Sequence, residues 1–505
     1  MMKITANRLF AAAIVLIYLY SFPYFPKIHS ANELPRIYLT YSLIEHKTIQ
    51  IDPGIRRWGA TADTSTVNGH SYSNKPPGSS LLAVPAYLVL KGIAALGGDQ
   101  PSLAQLMWTF RFATSTLPAL LFLLLLWRFI GRFTTDDRCR RLALAAYALG
   151  TLAMTYAILF IAHQLASVLI FSALVVWLEA LEQRKKTRWF FVGGLLAGCA
   201  PLCDYQTAFI GVPLAIWLLI KLLPRTTERR PWALIAAAAG ALPPLATLLG
   251  YHALAFGHPL KTGVDSAQAF AHHHTQGFLG ITALRSEAFI GSFFSPDKGL
   301  FFFSPFLLLA LVGWVLMARR RQWTMLLLSA SVVAIFVLFI SSINFWRGGW
   351  QFGPRYITAM LPFLLIPIAV TISRWQANWA LRAICVGLIS ASIVIYTLGN
   401  ALYPHFPESF RNPLYEIVFR LLVDGYAPYN LGWLIGLRGT ASLIPLLITL
   451  GALLIFLAIP DRRALRSGLL GLALAAGIIA AYAAVPRTPA GEQTYRQYVA
   501  GAMPK

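Results

Sequence analysis

The run "SANELPRIYLTYSLIEHKTIQID", residues 30–52, sets Asn32 and Glu33 directly before Pro35 and a helical pattern of Leu34, Ile37, Tyr38, Tyr41 and Ile44. A carboxylate in that position can act as general base on an acceptor hydroxyl or amine. The same residues also fit a plainer role, with Asn32 as N-cap, Pro35 in the first turn and Glu33 complementing the helix dipole. A second run, "GATADTSTVNGHSYSNKPPGSS" at 59–80, gathers Asp63, His70, Tyr72, Asn74 and Lys75. Asn-Gly and Pro-Pro-Gly are turn formers, so a solvated turn is one reading. The other is that Pro76 and Pro77 lead into an interfacial helix and hold the Lys75 ammonium at headgroup level, where it meets a lipid phosphate.

The elements that must position these groups are set by composition. Of 505 residues 57% are hydrophobic and 12% charged, with a mean hydropathy of +0.62. Apolar stretches of spanning length recur along the whole chain, and strand alternation is absent, so the class expected is an all-α polytopic membrane protein. About 13 spans can be placed, among them 103–130, 142–160 and 162–180. The first segment, "RLFAAAIVLIYLYSFPYF", has no small-residue cleavage site after it and reads as a retained span. The apolar stretch 79–97 carries Pro85 and Lys91 and reads as a helix lying along the interface; were it to span, the later topology would invert.

The formal charge of +23 is explained by short basic loops such as "ARRRQ" and "DRRALR" on the cytoplasmic side, so no nucleic-acid partner is implied. The N-terminus is then cytoplasmic, in what reads as a bacterial inner membrane. Longer loops at 26–102, 257–299, 343–356 and 403–438, rich in Tyr, Trp, His, Gly and Pro, lie outside over a single transmembrane domain, with no separate soluble one. Cysteines 139, 199, 203 and 385 sit in or beside spans and offer no disulfide framework. Nucleotide-binding GxxxxGK[ST], dinucleotide GxGxxG and HExxH patterns are all missing.

A retained first span, an acidic dipeptide position opening an amphipathic helix, and a Tyr-x-x-Lys-Pro-Pro corner before the next hydrophobic helix resemble the GT-C superfamily of membrane glycosyltransferases. That superfamily includes protein O-mannosyltransferases and lipid A aminoarabinose transferases. "NELPRIYLTYSLIEHKTIQID", "GHSYSNKPPG", "SFFSPDKGLFFFSP" and "WRGGWQFGPRYITAMLPF" are similar to uncharacterised bacterial members. The resemblance implies transfer of a sugar from a polyprenyl-phosphate carrier to a glycan, lipid or protein acceptor, on the outer face, with inversion. The family's first loop usually carries Asp-Glu, where this chain has Asn32-Glu33; Glu33 then inherits the base's role, with Asp63 the alternative, and Lys75 corresponds to the lysine of the Lys-Pro corner.

Such a reaction needs a base for the nucleophile and cations for the departing phosphate. Arg347 and Arg355 offer a bidentate phosphate clamp, and Trp346 and Trp350 faces for a sugar; the same residues would suit an interfacial anchor belt. Asn32, Arg36, His70, Tyr72, His163, Trp350 and Tyr356 are the candidates to hold substrate. His163, Gln164 and Asp204 are polar groups at span ends, of the kind that line cavities. Asp297 and Lys298 would pair with each other. His272, His273 and His274, near His258, invite a divalent metal; consecutive histidines cannot all face one ion, so no metal ligand set is assigned, and a divalent metal stays open as the one cofactor. A transporter or flippase of a lipid-linked sugar is the alternative function. It would place such groups near the bilayer midplane, often within an internal repeat, and no repeat is present.

Overall fold

The computed structural model describes residues 2–27, 30–183, 186–222, 230–267, 277, 280–489 and 491–504. The chain opens with α1 (Met2–Ser21), α2 (Leu34–Glu45) and α3 (Asp52–Trp58), then a hairpin of β1 (Thr64–Val67) and β2 (His70–Ser73), then α4 (Gly78–Leu96). There follow α5 (Leu103–Ile130), α6 (Asp137–Leu149), α7 (Leu152–Ala157), α8 (His163–Glu182), α9 (Arg188–Cys203), α10 (Tyr205–Leu222) and α11 (Arg230–Phe256). The second half adds α12 (Pro305–Arg319), α13 (Trp323–Ser342), α14 (Arg355–Trp375), α15 (Trp379–Leu402), α16 (Gly439–Ala458) and α17 (Arg462–Ala484).

This is a helical multi-pass membrane protein. Among the described residues ten helices are long and apolar enough to cross a bilayer, and α1, α9 and α12 are shorter apolar helices. The ten include α4, so the expected thirteen spans correspond to nine of them, the three shorter helices and one broken element. The break replaces the continuous span expected at 142–160. Helix α6 stops at Gly150, and the Thr151 hydroxyl caps α7 by accepting from the Ala153 amide.

Helices α14 and α15 form the centre, 89% and 78% buried along their apolar windows, whereas α4 and α17, at 22%, form the rim. Close packing inside the bundle uses small residues: a Cβ on Gly194 of α9 would stand 1.9 Å from the Ala237 carbonyl of α11, and one on Gly240 2.0 Å from the Phe191 carbonyl.

The polar loops separate to the two ends of the bundle. At one end Arg138 pairs with Asp461, Arg132 with Glu182, Arg141 with Asn7, and Arg382 with carbonyls of Ala458 and Ala464. At the other, loops from 30–75, 160, 204, 263, 298, 347–356 and 408 meet. Helix α4 is tied to this second group along its length. Ser79 accepts from Arg36, Tyr87 and Lys91 bond Glu45, and Gln100 beyond its end accepts from Arg57 of α3. With α4 over it, α2 is enclosed from Pro35 to Ser42 rather than lying open on a surface.

Candidate active site

Asn68 and Gly69 take positive φ values of 51° and 80°, the pair a type I′ hairpin turn demands, so strand pairing follows from the Asn-Gly dipeptide. Thr64 stands opposite Ser73. That register leaves Asp63 and Lys75 side by side at the open end of the hairpin, with Lys75 Nζ 3.1 Å from Asp63 Oδ2 and both side chains largely buried. The hairpin is held in place by the Ser65 hydroxyl donating to the Gly263 carbonyl and the Tyr251 hydroxyl donating to the Ser73 carbonyl. Burial pushes the Lys75 ammonium down to about 8, with Asp63 opposing that and Arg355 and Arg36 adding to it. The Asp63 carboxyl is held below the usual carboxylate range: burial would raise it, but Lys75, Arg355 and Asn74 outweigh that cost.

Arg36 and Arg355 complete the cluster. Arg36 is buried; its Nε donates to Asn32 Oδ1 at 3.3 Å and its Nη1 to the Ser79 hydroxyl at 3.1 Å. Arg355 is buried, its guanidinium 5.0 Å over the Tyr356 ring, with Nη2 donating to the Tyr356 hydroxyl at 3.2 Å. Its Nε has no partner among the described residues. Beside them His163 Nδ1 lies 2.6 Å from Asp204 Oδ2, and the His163 ring meets Tyr156 and Tyr356 edge-on. Two buried arginines, the largely buried Lys75 and the carboxylates of Asp63 and Asp204 thus come together. The cluster carries one more cation than carboxylate, and the Arg355 Nε–H is left without a partner among the described residues.

Several expected residues occupy other posts. Glu33, 0% exposed, accepts from Arg111 Nε at 2.7 Å, Arg111 Nη2 at 2.6 Å and the Phe160 amide at 2.8 Å. Arg111 opens a π-helical segment, Arg111–Thr116, within α5, and its Nη1 donates to the Pro23 carbonyl. The pair therefore ties the first span, loop and α5 together, and Glu33 presents no exposed edge to a substrate. Asn32 supports Arg36 instead of capping α2, whose N-cap is Glu33 with no side-chain cap bond. His70 is exposed near Asp52 at the turn end of the hairpin, about 10 Å along the four-residue strand from Ser73, which itself precedes Lys75 by two residues. Tyr72 packs in an apolar cluster against Phe256.

Asp297 and Lys298 do not pair with each other. Asp297 binds the Arg347 guanidinium, while Lys298 Nζ donates to the carbonyls of Arg347 at 2.7 Å and Gly349 at 2.5 Å and lies 3.6 Å from Glu408. Burial pushes Lys298 down to about 7, chiefly opposed by Glu408. This dipeptide is a clip on the loop that leads to Arg355. It also engages Arg347, one of the two arginines expected to form a clamp; the other, Arg355, lies with Lys75 and Asp63. Trp346 is buried over Gly291, and Trp350 is partly exposed against Tyr498. Two open clefts of about 530 and 680 Å³ adjoin this loop region, sharing Phe410 and Thr488, and neither is lined by Asp63, Lys75 or Arg355. Among the described residues no three His, Cys, Asp or Glu side chains come together to hold a metal ion; His272, His273 and His274 lie outside the described residues.

Fold and site define a polytopic helical membrane protein with a buried cluster of charged side chains at one end of its bundle. Residues 87–251 match the model of the dolichyl-phosphate-mannose-protein mannosyltransferase family. The match runs through the helices carrying Arg111, His163 and Asp204 and begins after the Lys75 corner; with it the GT-C resemblance read from the loops is borne out. Among solved structures the chain is similar to ArnT from Cupriavidus metallidurans bound to undecaprenyl phosphate, at 15% identity over 94% of this chain and 77% of that one, TM-score 0.48. It is similar to the same protein in the apo state at 16% identity, 95% and 78% coverage, TM-score 0.49. The archaeal oligosaccharyltransferase AglB from Archaeoglobus fulgidus, in complex with an inhibitory peptide and a dolichol-phosphate, is 12% identical over 97% of this chain and 59% of that one, TM-score 0.37. No curated protein matches the chain.

Proposed function

We propose that this chain transfers a sugar from a polyprenyl-phosphate carrier to a glycan, lipid or protein acceptor, with inversion at the anomeric carbon. The observation that carries the reading is the buried, cation-rich cluster of Arg36, Lys75 and Arg355 against Asp63 and Asp204. The family match over 87–251 supports the same chemistry. Lys75 and Arg355 hold the donor phosphate and stabilise the charge that develops on it as the glycosidic bond breaks. Asp63 keeps Lys75 aimed at that position. Tyr356, beside Arg355, bounds the sugar.

The chain works as one transmembrane unit in a bacterial inner membrane, N-terminus inside, with loops 26–102, 257–299, 343–356 and 403–438 roofing the site on the periplasmic face. The convergence of basic loops at the opposite end of the bundle supports that orientation. A transporter would show movement of the lipid-linked sugar without transfer. The test is a panel of radiolabelled undecaprenyl-phosphate hexoses supplied to the purified protein in liposomes with an envelope extract as acceptor. Release of undecaprenyl phosphate coupled to labelled product is expected, and Lys75→Ala should raise the donor KM far more than the acceptor KM. Movement of label across the bilayer without product removes the enzyme reading.

A further inference from the structure

We infer that His163 and Asp204 form the proton-accepting dyad of this transfer. The inference rests on the transferase reading above and assigns it a base. Neither carboxylate first expected in that role is free: Glu33 is filled by Arg111 and the Phe160 amide, and Asp63 is engaged by Lys75. Asn32, at the family's acidic position, has no basic lone pair to offer and its Oδ1 accepts from Arg36.

The His163 geometry meets the need. Nδ1 sits 2.6 Å from Asp204 Oδ2. A carboxylate accepts, so Nδ1 carries the hydrogen and the lone pair is on Nε2. That atom is buried and has no partner among the described residues, in a residue only 5% exposed overall. A buried imidazole nitrogen left without a partner is costly unless a ligand completes it. Arg355 Nε, also buried and without a partner among the described residues, belongs to a side chain close enough to act on the charge of His163. The groups facing His163 from its neighbours are Asp204 at the end of α9, Tyr156 of α7, Arg355 and Tyr356 of α14, and Arg36 of α2. The proposed phosphate contact and the free base thus lie on neighbouring side chains. His163 and Asp204 meet because α8 begins where α9 ends, at the site end of two antiparallel helices.

In the step itself the acceptor's oxygen or nitrogen bonds to the anomeric carbon while its O–H or N–H bond breaks and the proton moves to His163 Nε2. The anomeric C–O bond to phosphate breaks, its electron pair leaving with polyprenyl phosphate, whose charge Lys75 and Arg355 face. Asp204 stabilises the imidazolium that results, offsetting the adverse field of Arg355 and Arg36, and the proton then passes to solvent.

The test uses the full chain in liposomes with whichever undecaprenyl-phosphate hexose supports turnover. His163→Gln should lower kcat by about a hundredfold to ten-thousandfold with donor KM little changed. The wild-type kcat/KM should rise with pH along an acid limb, and Asp204→Asn should move that limb to lower pH, because the charge stabilising the imidazolium is lost. Activity of His163→Gln near wild type with an unchanged pH profile overturns the dyad. If His163→Gln fails to fold, the Asp204→Asn limb decides, and a limb that stays in place likewise overturns it. Absence of turnover in the wild type with every donor is a different result: it removes the transferase reading itself.

Discussion

Lys75 carries a consequence that titration can read. Its ammonium, held down to about 8 by burial, is protonated below that pH and increasingly neutral above it. A bound phosphate favours the protonated form and raises the value in the complex. Affinity for undecaprenyl phosphate is therefore full below pH 8 and falls as pH rises beyond it, by about tenfold per pH unit until the raised value is reached. Between pH 7.5 and 9.5 the phosphate is already fully ionised, so the slope reports the lysine. Binding measured by calorimetry across that range should show it, and Lys75→Arg should flatten it. Glu33 gives a contrasting expectation. Breaking a buried ion pair from one side costs about 3–5 kcal/mol, so Glu33→Gln should lower the unfolding temperature and yield in detergent before it touches chemistry. A variant of wild-type stability that no longer transfers sugar would return Glu33 to catalysis. The sequence marked Glu33, Asp63 and Lys75 as chemistry-bearing, yet their partners were hidden. Arg111, the ion that fixes Glu33, stands eight residues inside an apolar stretch, and an arginine there was itself a signal that a buried acid must meet it.

At the scale of elements, the hairpin is what turns two separated loop residues into a pair. Its turn needs Gly69 at φ 80°, and nothing lies within 4 Å of a Cβ placed there, so substitution probes backbone conformation alone. Gly69→Ala should cost about 1–2 kcal/mol locally and fray the strands that hold Asp63 against Lys75, raising the donor KM. Gly69→Asn, which enters the left-handed region more readily, should restore most of the loss. Equal donor KM for wild type and Gly69→Ala would show that the site does not depend on the hairpin. Asn-Gly was legible as a turn, but the strands around it are only four residues each and have no apolar alternation. The two-residue turn sets the register, and the hairpin's place in the fold comes from tertiary anchors, the Gly263 carbonyl and Tyr251, nearly 200 residues further on. His163 and Asp204 were legible one by one and not as a pair, because only the docking of α8 on α9 sets them face to face.

For the whole molecule, the open question of the sequence was α4, whose 19 apolar residues suffice to cross a bilayer. Apolar length alone cannot separate a span from a helix kept at one face, and that is why the spans were readable and this one was ambiguous. The contacts favour the second arrangement. The start of α4 bonds Arg36 of α2, its Gly78 abuts Leu202 and Cys203 at the end of α9, and Gln100 just past its end bonds Arg57 of α3. With α4 held there, Asn68 and the basic loop at Arg320 fall on opposite sides of the membrane; with α4 crossing, they fall on the same side. The four native cysteines are buried or half-buried, so single exposed cysteines can be introduced against a quiet background. Asn68→Cys should react in intact cells with a membrane-impermeant maleimide, and Arg320→Cys only after permeabilisation. Labelling of both from outside would mean that α4 crosses and that every later span, with its charged loops, is inverted. The excess of arginine at the end opposite the site argues against that outcome, since basic loops resist translocation.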